Sequence, residues 1–320
     1  MKNKYLFLMA WVLLALPLVI YAQKQTVGEE VFIQYESQHP YTSGLQSDEI
    51  IWRQEIAYTD RPASYVAVHF SQFNLADGDK LILRSPNRER TWEYTSNDNE
   101  RGEFWSIPIY GNRAVIEIIS NSGNSSFGYV IDKIARGFTS EELGNTSLTI
   151  CNEDDREEAK CYQESEVEVY DKSRAVARLW LNGTAVCTGW LVGDEGHLMT
   201  NQHCIENETD ANNTVVEMMA EGEACSSDCE TPEACEGQFV ANGVQLIQNN
   251  GPLDYALVLL PTNASLTYGY LTMRETGAEV GERIYIPQHP KGWGKQIAVF
   301  SDNPDDAEDG FVHVQTITQG

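Results

Sequence analysis

The sequence predicts an all-β protein of two domains. Three observations carry that reading. Short apolar runs recur along most of the chain, separated by Gly, Asn, Asp and Pro turn signals. From about Gln25 to Arg136 no stretch sustains a 3.6-residue apolar period. All seven cysteines lie at or after residue 151, so the two halves differ in kind. A chain of 320 residues with 42% hydrophobic content can build one or two cores. Its 48 acids against 22 bases, a formal charge of −26, argue against a nucleic-acid partner, which calls for a basic face.

Residues 1–22 read as a secretory signal peptide. Lys2 and Lys4 precede the apolar run Tyr5 to Ile20, and Tyr21-Ala22 supplies a small residue before Gln23. An uncleaved N-terminal anchor is the alternative, but the run is short for a bilayer span. The expected setting is extracellular or periplasmic, with no membrane association after signal cleavage.

Residues 23–136 contain no cysteine and read as successive strands: Val31–Tyr35, Ile50–Tyr58, Tyr65–Phe70, Lys80–Arg84, Thr91–Tyr94, Phe104–Ile109, Ala114–Ile119 and Gly128–Ile134. Asp77-Gly78-Asp79, Ser85-Pro86-Asn87, Gly111-Asn112 and Ser122-Gly123-Asn124 supply turns between them. This spacing suggests a β-sandwich serving as a pro- or accessory domain. His39 and His69 stand alone in it and read as structural. Residues 137–172 turn polar and acidic, with eight acids between Glu153 and Glu168, and read as a disulfide-bearing connector.

Residues 173–320 read as a second β-rich domain. Ala177, Leu179 and Leu181 alternate with Arg178 and Trp180, and Asn182-Gly183 is a two-residue hairpin signal. Ala185 to Val192 is the return strand, followed by His197–Thr200, Val244–Gln248, the apolar Tyr255–Leu260 and a strand-like Phe311–Ile317. In a secreted chain the cysteines imply disulfides, one cysteine being left without a partner here. Zinc at Cys225, Cys229 and Cys235 is the alternative. Sequons at Asn124, Asn145, Asn182, Asn207, Asn212 and Asn263 matter only in a glycosylating host. Asp302 to Asp309 holds five acids without an EF-hand spacing and reads as a solvated loop.

The chemistry concentrates around His203. It follows a buried strand, and Cys204 beside it could bond back to Cys187 on the preceding hairpin, pinning the imidazole as a general base requires. Asp254 leads into the apolar run Tyr255–Leu260, where a carboxylate is costly unless paired. Accepting Nδ1–H of His203 would satisfy it and fix the tautomer that takes a proton. Taken alone, Asp254 reads rather as the end of the Asn249-Asn250-Gly251-Pro252 turn.

Together, Thr188-Gly189-Trp190-Leu191-Val192, Thr200-Asn201-Gln202-His203-Cys204 and Asp254-Tyr255-Ala256-Leu257 resemble trypsin-like serine endopeptidases of the chymotrypsin fold. The likeness covers about Ser173 to Phe300 and is closest to bacterial secreted lysyl endopeptidases. Cys151 and Cys161 in the acidic lead-in, and Arg283 to Gly292 with its His289-Pro290-Lys291-Gly292 turn, carry that closer likeness. It implies a double β-barrel, His203 as general base, Asp254 as its orienting partner, a Cys187–Cys204 bridge, a structural His289, no cofactor or metal, and protein or peptide substrates. The N-terminal domain would make the chain a zymogen-like precursor.

The resemblance requires a serine in a Gly-x-Ser-Gly context, and Ser226, Ser227, Ser265 and Ser301 are not so placed. The nucleophile is therefore expected beyond Gly320, in a barrel incomplete as far as the sequence runs, with the odd cysteine's partner beside it. From Leu179 to Met273, 95 consecutive residues contain neither lysine nor arginine. Avoidance of self-cleavage by an enzyme that cuts after basic residues is one reading, and compositional drift is the other. The competing function is a non-catalytic secreted binding protein built on a degenerate protease barrel.

Overall fold

The computed structural model describes residues 24–300, apart from 43, 45–47, 122, 145–155, 233 and 277–282, and the backbone of 305–308 and 311–313. The expected signal peptide, Cys151, Asn145 and Ser301 lie outside the described residues.

Ten strands precede residue 138: β1 (Gln25–Thr26), β2 (Gly28–Glu36), β3 (Glu49–Ala57), β4 (Tyr65–Asn74), β5 (Lys80–Arg84), β6 (Thr91–Thr95), β7 (Phe104–Trp105), β8 (Ile109–Tyr110), β9 (Arg113–Ser120) and β10 (Gly128–Gly137). Nine of them form two antiparallel sheets, β2-β10-β4 with β7 and β8 on the free edge of β4, and β3-β9-β5-β6, while β1 pairs with a later strand. Phe104–Ile109, expected as one strand, is two, because Pro108 lacks the N–H that a continuous ladder needs. Between the sheets, Phe70 meets Phe73, Tyr94, Phe104 and Tyr129 at ring separations of 5.0–5.9 Å. Such offset aromatic packing fills a sandwich interior with few voids. His69 is buried against Asp132 at 2.6 Å, and the exposed His39 stacks on Phe127.

The later strands are β11 (Arg156–Glu158), β12 (Val176–Leu181), β13 (Ala185–Val192), β14 (His197–Thr200), β15 (Thr214–Met218), β16 (Gln238–Asn242), β17 (Gln245–Asn250), β18 (Tyr255–Leu259), β19 (Ile284–Gln288), β20 (Gln296–Phe300), β21 (Asp305–Glu308) and β22 (Phe311–His313). One curled sheet runs β16-β15-β12-β13-β14-β18-β17. Its inner face buries Leu179, Leu181, Leu191, Leu198, Val216, Ala256 and Val258. A second sheet runs β11-β20-β19. The protein is all-β: a two-sheet sandwich followed by a curled, half-barrel sheet and a smaller three-stranded one. Within the stretch expected as an acidic connector, Arg156–Glu158 pairs with β20, and Tyr162 and Tyr170 pack on Ile297. Residues 305–308, expected in a loop, form a strand paired with β22.

Among the strands that were not legible are β15 and β16, and for β15 the reason is shared with a reversal on β12. Arg178 and Trp180, which alternate with the apolar residues of β12, are as buried as those residues. The sandwich covers this second face. Trp180, Val186 and Val215 belong to its hydrophobic cluster, with Tyr65 edge-on to Trp180 at 5.1 Å. Glu217, in the middle of β15, is buried because Arg178 Nε (3.0 Å), Trp180 Nε1 (2.8 Å) and the Gly237 amide (2.8 Å) donate to its carboxylate. A strand carrying a buried charge does not announce itself by hydropathy.

Candidate active site

Strand pairing delivers the candidate residues to one place. β14 runs antiparallel to β18 with Thr200 opposite Ala256, so the residues after β14 lie beside those before β18. His203 comes from the first group and Asp254 from the second. Asn201 shapes the turn after β14, its carbonyl accepting from the amides of Cys204 at 3.1 Å and Ile205 at 3.4 Å. Asp254 sits at φ +48°, a left-handed conformation that aspartate tolerates better than most residues. Its amide donates to Gly251 at 3.0 Å, closing the turn that aims the carboxylate back at His203.

The Asp254 carboxylate is met on both oxygens. Oδ1 accepts the His203 amide at 3.0 Å. His203 Nδ1 lies 2.8 Å from Oδ2 and 3.0 Å from Oδ1. Asn201 Nδ2 donates to Oδ2 at 3.1 Å and to the Asp254 carbonyl at 3.2 Å. Burial pushes this carboxyl upward, but the His203 amide and ring and the Asn201 amide outweigh it, leaving its pKa below the ordinary carboxylate value. With Nδ1–H given to Asp254, the lone pair of a neutral imidazole sits on Nε2. That nitrogen is buried and has no hydrogen-bond partner among the described residues. Ser226, Ser227 and Ser265 therefore do not supply one.

Two further contacts hold the loop. Cys187 on β13 is bonded to Cys204, with Cα atoms 6.3 Å apart. Donor atoms of Cys187, His203 and Cys204 lie within 4.8 Å of one another, but the two sulfurs are bonded to each other and offer no thiolate to a metal. Cys161–Cys225 and Cys229–Cys235 are also bonded, so the three sulfurs of the zinc alternative are consumed. Thr200 Oγ1 donates to the Thr188 carbonyl at 2.8 Å, and Thr188 Oγ1 accepts the His289 amide at 3.0 Å. His289 is buried, its pKa driven well down by desolvation and by the charges of Arg178 and Lys295. It is a neutral strut between the two sheets. The residue missed in the sequence is Asn201; its only signal was adjacency to His203.

A model of the lysyl endopeptidase C-terminal domain matches residues 149–318, more than half of the chain. The chain belongs to the lysyl endopeptidase C-terminal domain family. That is a protease family, and the match takes in both barrel sheets, His203 and Asp254. Secreted RxLR effector protein 73 of Plasmopara viticola is 36% identical over 307 residues, covering 91% of this chain and 74% of the effector. The family model leaves out the sandwich, whereas similarity to the effector runs through most of it. Among solved structures, an HtrA-type protease with a tripeptide is 19% identical at a TM-score of 0.31. The match spans 41% of this chain and only 36% of that one, too slight a likeness to inform the site.

Proposed function

We propose that this member of the lysyl endopeptidase family is a secreted serine endopeptidase in which His203 is the general base and Asp254 its orienting partner. The observation that carries the reading is a single imidazole with Nδ1 held 2.8 Å from a carboxylate and Nε2 buried and unpartnered. The nucleophilic serine we place beyond Gly320. As its hydroxyl oxygen attacks the scissile carbonyl, its proton passes to His203 Nε2. The imidazolium is stabilised by Asp254, which stays ionised, and the proton then goes to the leaving amine. Water repeats the sequence to free the acyl group from the serine. No cofactor is needed. Three disulfides fit an oxidising compartment, and no described helix is long and apolar enough to cross a membrane.

A non-catalytic secreted binding role is the second reading, favoured by the relative's designation as an effector. The two separate on the full-length secreted gene product. Labelling by a fluorophosphonate probe, together with peptide hydrolysis that His203→Ala abolishes, supports the protease. Absence of both in correctly folded protein overturns it.

A further inference from the structure

We propose that the N-terminal sandwich is a permanent structural wall of the protease-family domain, docked away from His203, and not a pro-region that leaves on maturation. The first sign is backbone continuity. β1 pairs with the barrel strand β13, Gln25 opposite Val186 and Thr26 opposite Ala185. The amides of Val27 and Gly28 then both donate to the Thr184 carbonyl, at 2.8 and 3.1 Å, before β2 enters the sandwich sheet. One extended segment thus belongs to both domains.

The second sign is a shared interior. Trp180, Val186 and Val215 project from the barrel into the sandwich core. Gly183, at φ +72°, has no room for a side chain: a Cβ there would lie 2.6 Å from the Trp105 ring. Arg90 of the sandwich is clamped between Tyr110 of its own domain (4.3 Å) and Phe239 of β16 (4.5 Å). An interface that opens readily is polar and wet. This one is aromatic at its centre.

The third sign is polar pairing across the contact. Arg178 Nη2 donates to Tyr110 at 3.2 Å, and Tyr65 donates to the Gly183 carbonyl at 2.8 Å. Arg101 binds the Asn212 carbonyl at 2.7 Å and Asn242 Oδ1 at 2.8 Å, while the Trp105 amide donates to Asn213 at 2.9 Å. Removing the sandwich would expose the Arg178–Glu217 pair beside a bare aromatic face, a patch soluble monomers avoid. The partners of Asn201, His203 and Asp254 are by contrast all barrel residues, so docking does not plug the site.

The test uses the full-length secreted protein with a specific cleavage sequence inserted after Gly144. After cutting under native conditions, both fragments are expected to co-elute at the volume of the intact protein and to unfold in one transition. Separation into two folded fragments would overturn the proposal. Mass spectrometry of the protein matured by its own host gives an independent readout. Sandwich and barrel peptides in equal amounts in one species are expected; a species free of the sandwich would overturn it. Neither readout uses catalysis, so failure here leaves the protease reading standing, and the converse holds.

Discussion

Glu217→Gln is the substitution whose effect the structure defines best. Arg178 and Glu217 are both fully buried, 3.0 Å apart. Glutamine keeps the shape and a carbonyl for Trp180 Nε1 but removes the charge. Arg178 keeps the carbonyls of Ala234 at 3.1 Å and Gly292 at 3.0 Å and the Tyr110 hydroxyl, but loses the carboxylate at 3.0 Å. Breaking a buried pair from one side typically costs about 3–5 kcal/mol, because the remaining ion loses the paired charge that offset its desolvation. At about 2–4 °C per kcal/mol, melting should fall by roughly 6–20 °C. The assay is thermal and urea unfolding followed by circular dichroism. Burial raises the Glu217 carboxyl, but Arg178 and Arg90 pull it below its ordinary value overall. A carboxylate with a depressed folded pKa stabilises above the unfolded value of about 4.3, and that stability disappears as the pH falls through the folded one. The wild type should therefore lose stability on acidification more steeply than Glu217→Gln. The double variant Arg178→Met, Glu217→Leu should recover at least about 2 kcal/mol, since apolar replacement of both partners removes the stranded charge. A loss under about 1 kcal/mol in the single variant, or no recovery in the double, would refute the reasoning.

Four other outcomes follow. Asp254→Asn should lower kcat by about ten-thousand-fold, because an amide in that place favours the wrong imidazole tautomer, while KM changes little; steady-state kinetics on a peptide substrate checks it. Asn201→Ala removes one donor from Asp254 and should cut kcat by about tenfold, a hydrogen bond to a charged group being worth about 1.5–3 kcal/mol. An unchanged kcat would leave Asn201 as turn structure only. Replacing Cys187 and Cys204 together by serine opens a bridge spanning 17 positions and should cost about 3 kcal/mol in urea unfolding. A peptide library should show turnover mainly where lysine or arginine precedes the cleaved bond; cleavage only after apolar residues would sink the self-avoidance reading of the span 179–273.

The His203–Asp254 pairing was legible because its cues are local: a histidine after a strand, a cysteine to brace it, and an acid where an apolar strand begins. The structure brings these residues together, and strands such as Lys80–Arg84, Ala185–Val192 and His197–Thr200 fall where turn chemistry and alternation put them. What the sequence hid was the contact between domains. Arg178 and Trp180 look like a solvent face until another domain covers them. Glu217 looks like a surface acid until Arg178 is set beside it. Asn201 looked like filler in a motif because its role depends on a carboxylate 53 residues away. Each miss needed knowledge of what lies across a long loop, which no periodicity reports.

The strand shared by the two domains also bears on how the chain assembles. β1 is the first described strand, yet its partner on β13 lies roughly 160 residues downstream. The β5-β6 hairpin of the sandwich can close as soon as it emerges, whereas a contact separated by roughly 160 residues carries a larger loop-closure cost and forms later. Gln25 and Thr26 have no β13 to pair with until the barrel residues 185 and 186 have been made. The leading end of the chain is thus finished late, and refolding from denaturant should show its slow phase in a probe placed at the N-terminus, after the sandwich aromatics have already reported native packing.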